Sequence, residues 1–100
     1  MDKSMVDGIM VEYVPKIFGF AFSKLTNTDK AEELASRITY DVYVSLLNAS
    51  DIHNIAGYVY RVARNVYARF VDEETRGRYY SLDNMKISSG FHSLFSPAVR

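Results

Sequence analysis

The sequence predicts an all-α domain, and three observations support this fold class. Apolar residues recur at intervals of three and four along residues 6–70, which is the spacing of amphipathic helices. Polar turns at 26–29 and 48–54 interrupt that pattern. One hundred residues with 48% hydrophobic content suit one small core. We therefore expect a compact bundle of three to four helices in residues 1–78, followed by a loosely ordered linker or tail in residues 79–100.

The first predicted helix covers residues 6–25. Ile9, Tyr13, Ile17, Phe20 and position 24 or 25 are three or four residues apart. Pro15 interrupts the segment, and a proline costs about 3 kcal/mol in a helix interior. A kinked helix and two separate helices, one before Pro15 and one starting near it, are both compatible with this pattern.

The second predicted helix begins at Asp29. Asp29 has the capping position and Glu32, three residues later, can reach back to it. One stripe of the helix is predicted to be buried, and it consists of Ala31, Leu34, Ala35, Ile38, Val42 and Leu46. The outer face then carries Glu33, Arg37 and Tyr40, with Ser36 beside them, and the helix ends at residues 48–51.

The third predicted helix is capped by Asn54 and runs to Thr75 or Arg76, just before Gly77. Its apolar stripe consists of Val59, Val62, Ala63, Val66 and Phe70. The side chains predicted on the far side are Tyr60, Arg61, Arg64 and Tyr67, and Asn65 lies between the two faces.

This far side of the third helix combines arginine with tyrosine. Arginine pairs with phosphate, and aromatic rings stack on unpaired bases, so the combination is typical of single-stranded nucleic-acid binding. The same pattern is compatible with an ordinary amphipathic surface, in which tyrosines are half-buried and arginines extend to water. From the residues alone, both interpretations stay open.

The net charge is zero, but the charge is unevenly distributed along the chain. Residues 1–57 hold five Lys/Arg and eight Asp/Glu, whereas residues 58–100 hold seven and four. Such asymmetry is compatible with two surfaces that have different partners, although a charged face is more often simply solvated. No apolar run approaches the roughly 20 residues of a membrane span, and the first residues do not have the pattern of a secretory signal. We expect a cytoplasmic protein without a membrane partner.

The residues with catalytic or metal-binding potential do not form a recognisable site. Cysteine is absent, and His53 and His92 have no companion ligands at metal-binding spacing. Glu32 and Glu33 diverge by about 100° on a helix, so they cannot flank one substrate as an acid and base pair. We therefore expect no metal, no cofactor and no enzymatic activity.

Two segments resemble region 2 of bacterial RNA polymerase sigma factors, most closely the extracytoplasmic-function type, over about residues 10–83. Residues 31–34, Ala-Glu-Glu-Leu, are similar to the family's Asp-Ala-Glu-Asp-Leu. Residues 57–65, Gly-Tyr-Val-Tyr-Arg-Val-Ala-Arg-Asn, are similar to its Ala-Trp-Leu-Tyr-Arg-Ile-Ala-Arg-Asn. The family commonly has Gln-Glu in the helix with which it docks on RNA polymerase, and this chain has Ser36 and Arg37 at those two positions.

The resemblance implies two partners for a domain of this type. The second helix would dock on a coiled coil of the largest subunit of core RNA polymerase, through Glu33, Ser36, Arg37 and Tyr40. The third helix would hold melted promoter DNA, mainly the unpaired non-template strand, and the residues expected to contact it are Tyr60, Arg61, Arg64, Asn65 and Tyr67. An anti-sigma factor is a further candidate partner.

The segment Ser81-Leu82-Asp83 resembles the start of the linker that leads to region 4 in this family. The chain is then expected either to end in that linker or to be a single-domain relative. A protein-interaction or regulatory module that kept the fold without promoter recognition is the alternative function.

Overall fold

The computed structural model describes residues 1–78, with side chains through Arg76, and this part is all-helical. Its three helices are α1 (Lys3–Lys24), α2 (Thr28–Asn48) and α3 (Ile55–Arg78). The predicted fold class is therefore confirmed at this level. The predicted tail, residues 79–100, lies outside the described residues. No described helix combines the length and apolar composition that crossing a membrane requires.

Helix α1 continues through Pro15 as one helix, so the alternative of two separate helices is wrong. Proline cannot donate a hydrogen bond to the carbonyl four residues earlier, which belongs to Val11. Val11 is 78% exposed, so water can reach this part of the helix and the missing bond is tolerated. The helix begins after Asp2, whose carboxylate accepts from the Met5 amide.

Helix α2 begins one residue before the predicted start, and its cap differs from the prediction. The side-chain oxygen of Asn27 accepts from the Lys30 amide at 2.9 Å, whereas Asp29 lies inside the first helical turn. The prediction of Asp29 as cap was wrong because Asn27 offers the same kind of acceptor two residues earlier. Asp29 still favours the helix start through its negative charge.

The C-terminal end of α2 receives the amino group of Met1. This ammonium group donates to the carbonyls of Leu46 at 3.2 Å, Leu47 at 3.0 Å and Ala49. A positive charge is favourable at this end of a helix, and the bonds satisfy carbonyls that lack helical partners. The amino end of the chain is thus held against α2.

Internal contacts divide the chain into two compact units, Met1–Val66 and Tyr67–Arg100, so the boundary falls within α3. In the first unit, α1 and α2 pack against each other. The buried residues of this unit are Val6, Met10, Ile17, Ala21, Ala31, Leu34, Ala35, Ile38, Val42, Leu46, Val59, Ala63 and Val66. All six predicted core residues of α2 are confirmed.

The described part of the second unit is the remainder of α3. Phe70 and Thr75 are buried there. Asp72 pairs with Arg76 at 3.3 Å, and its other carboxylate oxygen is buried without a hydrogen-bond partner. Helix α3 ends at Arg78, two residues beyond the predicted limit.

Candidate nucleic-acid and protein interfaces

Helix α3 is fixed at its start by Asn54, as the sequence predicts. The Asn54 side-chain oxygen accepts from the Gly57 backbone amide at 3.0 Å, and the Asn54 backbone carbonyl accepts from the Tyr58 backbone amide at 3.0 Å. A Cβ added at Gly57 would lie 2.8 Å from the Asn54 amide nitrogen, so the small residue leaves room for the cap. The cap fixes where the helix begins, and the buried stripe of Val59, Ala63 and Val66 sets which side faces outward.

Two cation–π pairs lie on the outward side of α3. The Arg64 guanidinium carbon lies 4.9 Å from the centre of the Tyr60 ring, and that of Arg61 lies 5.9 Å from the Tyr58 ring. Tyr60 is 51% exposed. Both pairs join residues three or four apart, which a helix places on neighbouring turns. Rings and cations are therefore held together before any ligand arrives.

Arg64 is half-buried, although the sequence predicts it on the exposed side. Its guanidinium group lies against the Tyr60 ring. Its Nε atom is buried without a hydrogen-bond partner. An unsatisfied buried donor costs about 1–3 kcal/mol, so this placement of the Arg64 side chain is locally unfavourable.

An open cleft of about 530 Å³, with mixed polar and apolar lining, lies between the α2–α3 loop and the first turns of α3. Tyr60, Arg61 and Arg64 line it from the helix, and Asp51 and His53 line it from the loop. The Asp51 carboxylate lies 3.6 Å from His53 Nε2, and both side chains are well exposed. The cleft thus offers acceptor and donor groups beside aromatic rings.

Sequence reasoning missed the loop residues of this cleft. Asp51, Asn54 and Tyr58 were not predicted as site residues, and His53 was considered only as a metal ligand. The signal was present, because a loop that directly precedes a capped helix must lie beside the first turns of that helix. Asp51 is three residues before the cap.

The other two predicted DNA contacts do not line the cleft. Asn65 is exposed on α3, one position beyond Arg64. Tyr67 belongs to the second unit and is half-buried, and this burial raises the pKa of its hydroxyl above the ordinary value. The structure therefore brings together three of the five predicted residues, which are Tyr60, Arg61 and Arg64.

The four residues predicted to contact polymerase are all exposed on α2. Arg37 donates to the Glu33 carboxylate at 3.1 Å, and Lys30 lies 3.9 Å from the same side chain. Tyr40 is 68% exposed, which is unusual for so large a side chain. Charged and aromatic groups are thus available on one helix face.

Beside this face, an apolar groove of about 860 Å³ lies between α1 and α2. Ser36 and Tyr40 line it from α2. From α1 the lining residues include Val11, Val14 and Phe18, which sequence reasoning did not include in the site. Grooves of this kind receive helices with apolar residues at intervals of three and four.

Comparisons with protein-family models, curated proteins and solved structures gave no match to this chain. Among the described residues, no group of three or more potential ligands is placed to hold a metal ion.

Proposed function

We propose that this domain acts in transcription initiation as a region 2 type sigma domain. It holds an unpaired strand of promoter DNA on α3 and docks on core RNA polymerase through α2. It works by binding and carries out no chemical step. The similarity of residues 31–34 and 57–65 to the sigma family motifs suggests this identity.

One observation carries the DNA part of the proposal. Tyr60, Arg61 and Arg64 border one open cleft, and the rings and cations are already paired. Stacking contributes about 1–3 kcal/mol per base, and arginine supplies the phosphate contact. Preorganised groups lose less entropy on binding. The arrangement suits a strand that has already been opened.

The cleft is open and has a volume of about 530 Å³, which is in the range of small-molecule sites, and an unstacked base is its proposed occupant. Asp51 supplies an acceptor for an exocyclic amine of the base. Asn54 uses its side-chain oxygen for the helix cap, so its amide nitrogen is the group that donates to a base acceptor. These two residues would read a base edge while Tyr60 stacks.

The polymerase part of the proposal rests on α2 and the apolar groove. Exposed Glu33 and Arg37 can pair with charges on a partner, and Tyr40 offers an aromatic anchor at the groove edge. A coiled-coil partner presents apolar residues at helical spacing, which matches a groove between two helices.

Fluorescence anisotropy with a labelled single-stranded oligonucleotide tests the DNA interface. We expect salt-dependent binding that is stronger for the single strand than for a duplex of the same sequence. The double variant Arg61→Gln with Arg64→Gln should lower the slope of log affinity against log salt by about 1.4, since each single-strand phosphate contact contributes about 0.7. Lys3→Gln with Lys30→Gln removes the same charge elsewhere and is the matched control.

Equal loss of affinity in the arginine variant and the lysine control would overturn the interface, because only net charge would then matter. Equal affinity for duplex and single strand would contradict the stacking role of Tyr60. Either result is distinct from misfolding, which far-UV circular dichroism of each variant detects.

The alternative function is a protein-interaction module without promoter recognition, and the apolar groove between α1 and α2 favours it. The two functions differ in one measurement. A module of this kind binds core polymerase in a pull-down but shows no preference for single-stranded DNA, whether polymerase is present or absent.

A further inference from the structure

Helix α1 carries a second row of rings and cations beside the α3 face. The Lys16 ammonium group lies 6.0 Å from the centre of the Tyr13 ring, and that of Lys24 lies 5.3 Å from the Phe20 ring. Phe20 meets Tyr60 of α3 edge to face, with ring centres 5.9 Å apart and planes at 89°. Tyr60 therefore joins the α1 row to the α3 cluster.

A shallow groove of about 210 Å³ follows this junction between the two helices. Tyr13, Lys16 and Phe20 line it from α1, and Tyr60 lines it from α3. Val59 and other apolar residues complete the lining. Aromatic walls with cations at the rim are the pattern of surfaces that track a single strand.

The local charge also favours a polyanion. Residues 13–24 contain two lysines and no Asp or Glu, and residues 55–66 contain two arginines and no Asp or Glu. The neutral charge of the whole chain therefore conceals two neighbouring segments that are purely basic. All carboxylates of α1 lie in its first ten residues, outside this row.

We infer that the path of the single strand continues from the α3 cluster onto α1, where Lys16 and Lys24 contact phosphates and Phe20 and Tyr13 contact bases. This inference rests on the proposed function and extends it. It assigns α1 a direct role in DNA binding, in addition to its role in the core.

The length of the row determines how much DNA it can contact. Lys16 and Lys24 are eight residues apart, which is about 12 Å along a helix. At the stacked rise of about 3.4 Å per nucleotide, this distance corresponds to about three to four nucleotides. The α3 cluster alone should therefore bind a short oligonucleotide, and the α1 row should contribute only when the strand is longer.

Oligonucleotides of about 5 and about 10 nucleotides separate the two contributions, given this spacing. The test variant is Lys16→Gln with Lys24→Gln, and the matched control is Lys3→Gln with Lys30→Gln. Both lysines of the test variant are exposed, so the fold should be retained. For the long strand we expect the slope of log affinity against log salt to fall by about 1.4. If the variant and the unchanged chain bind equally at about 1 M salt, the variant should then bind about 25-fold more weakly at about 0.1 M salt.

The short strand should bind the Lys16 and Lys24 variant as it binds the unchanged chain. Phe20→Leu should weaken the long strand without changing the salt slope, since it removes a ring and no charge. If the long strand binds the test variant and the control alike, the α1 path is wrong and the α3 interface stands. If the unchanged chain binds neither length, both the proposed function and this inference fail.

Discussion

The two sides of the first unit differ in chemistry, although they share the same helix α1. Toward α2, α1 borders a wide apolar groove in which Val11 and Phe18 face Tyr40. Toward α3, it borders a narrow groove in which Lys16 and Phe20 accompany the aromatic and basic cluster. One side is the proposed docking face for a protein helix, and the other is the proposed path of a nucleic-acid strand.

This difference shows why net charge is a poor guide to the partners of a small domain. Helix α2 holds four carboxylates and two cations, whereas residues 55–66 hold two cations and no carboxylate. Summed over the chain, these contributions cancel to zero. Partner choice depends on the charge of each face, because screening limits electrostatic effects to about 8–10 Å at ordinary salt.

The largest expected effect comes from removing the core that supports both faces. Leu34 is fully buried on α2, so Leu34→Ala should lower the free energy of unfolding by about 2–5 kcal/mol. Urea unfolding followed by far-UV circular dichroism measures the change. Glu32→Ala, on the exposed side of the same helix, is the control and should change stability by less than about 0.5 kcal/mol. Similar losses in both variants would mean that Leu34 does not pack as described.

A smaller effect should separate stacking from charge on the α3 side. Tyr60→Leu removes a ring but no charge, so it should weaken single-strand binding by about 1–3 kcal/mol and leave the salt slope unchanged. Salt titration by anisotropy measures both quantities. Phe22→Leu, another exposed aromatic position that stacks on Phe18, should leave DNA binding unchanged. A changed slope in Tyr60→Leu would show that the ring acts only by positioning Arg64.

Asn54 connects the stability of α3 with the cleft, and two substitutions separate these roles. Asn54→Ala removes the cap and should cost about 1 kcal/mol in the free energy of unfolding. Asn54→Asp keeps the acceptor for the Gly57 amide, so stability should be retained. Both variants lose the amide donor, so single-strand affinity should fall in both, and it should fall further in Asn54→Asp because the new carboxylate repels phosphate. Full affinity in Asn54→Asp would exclude Asn54 from base contact.

The smallest expected effect concerns the ion pair on the α2 face. Glu33 and Arg37 are both substantially exposed, so Arg37→Gln should cost only about 0.2–0.5 kcal/mol in stability. Its effect on binding to core polymerase should be larger, since a partner can desolvate the guanidinium group. Thermal unfolding and a polymerase pull-down compare the two. A stability loss above 2 kcal/mol would indicate a structural role for the pair.

The buried stripe of α2 could be predicted in full because its other residues are mostly polar, which leaves one possible orientation. Helix α1 is apolar around most of its circumference, with Met5, Val11 and Phe22 all exposed. Several three-and-four spacings therefore fit its sequence. The spacing of Ile9, Tyr13, Ile17 and Phe20 predicted a helix without identifying its buried side, and the structure buries Ile17 and leaves the other three half-buried.

The candidate site shows a similar limit. The helical period correctly grouped Tyr60, Arg61 and Arg64, since these residues lie on one helix. It could not reveal the contact between Phe20 and Tyr60, which joins residues forty positions apart. Contacts between helices depend on packing angle and side-chain conformation, which the spacing of one segment does not contain. The α1 contribution therefore became visible only in three dimensions.

Binding of both partners to two variants, one altered on each side, tests the central claim most directly. Tyr40→Ser changes the α2 face, and Arg61→Gln with Arg64→Gln changes the α3 face. With single-stranded DNA and core polymerase measured for each, we expect Tyr40→Ser to lose polymerase and keep DNA, and the arginine variant to lose DNA and keep polymerase. If either variant is folded and loses both partners, the two binding faces are not separate. If both variants keep both partners, neither face binds as proposed.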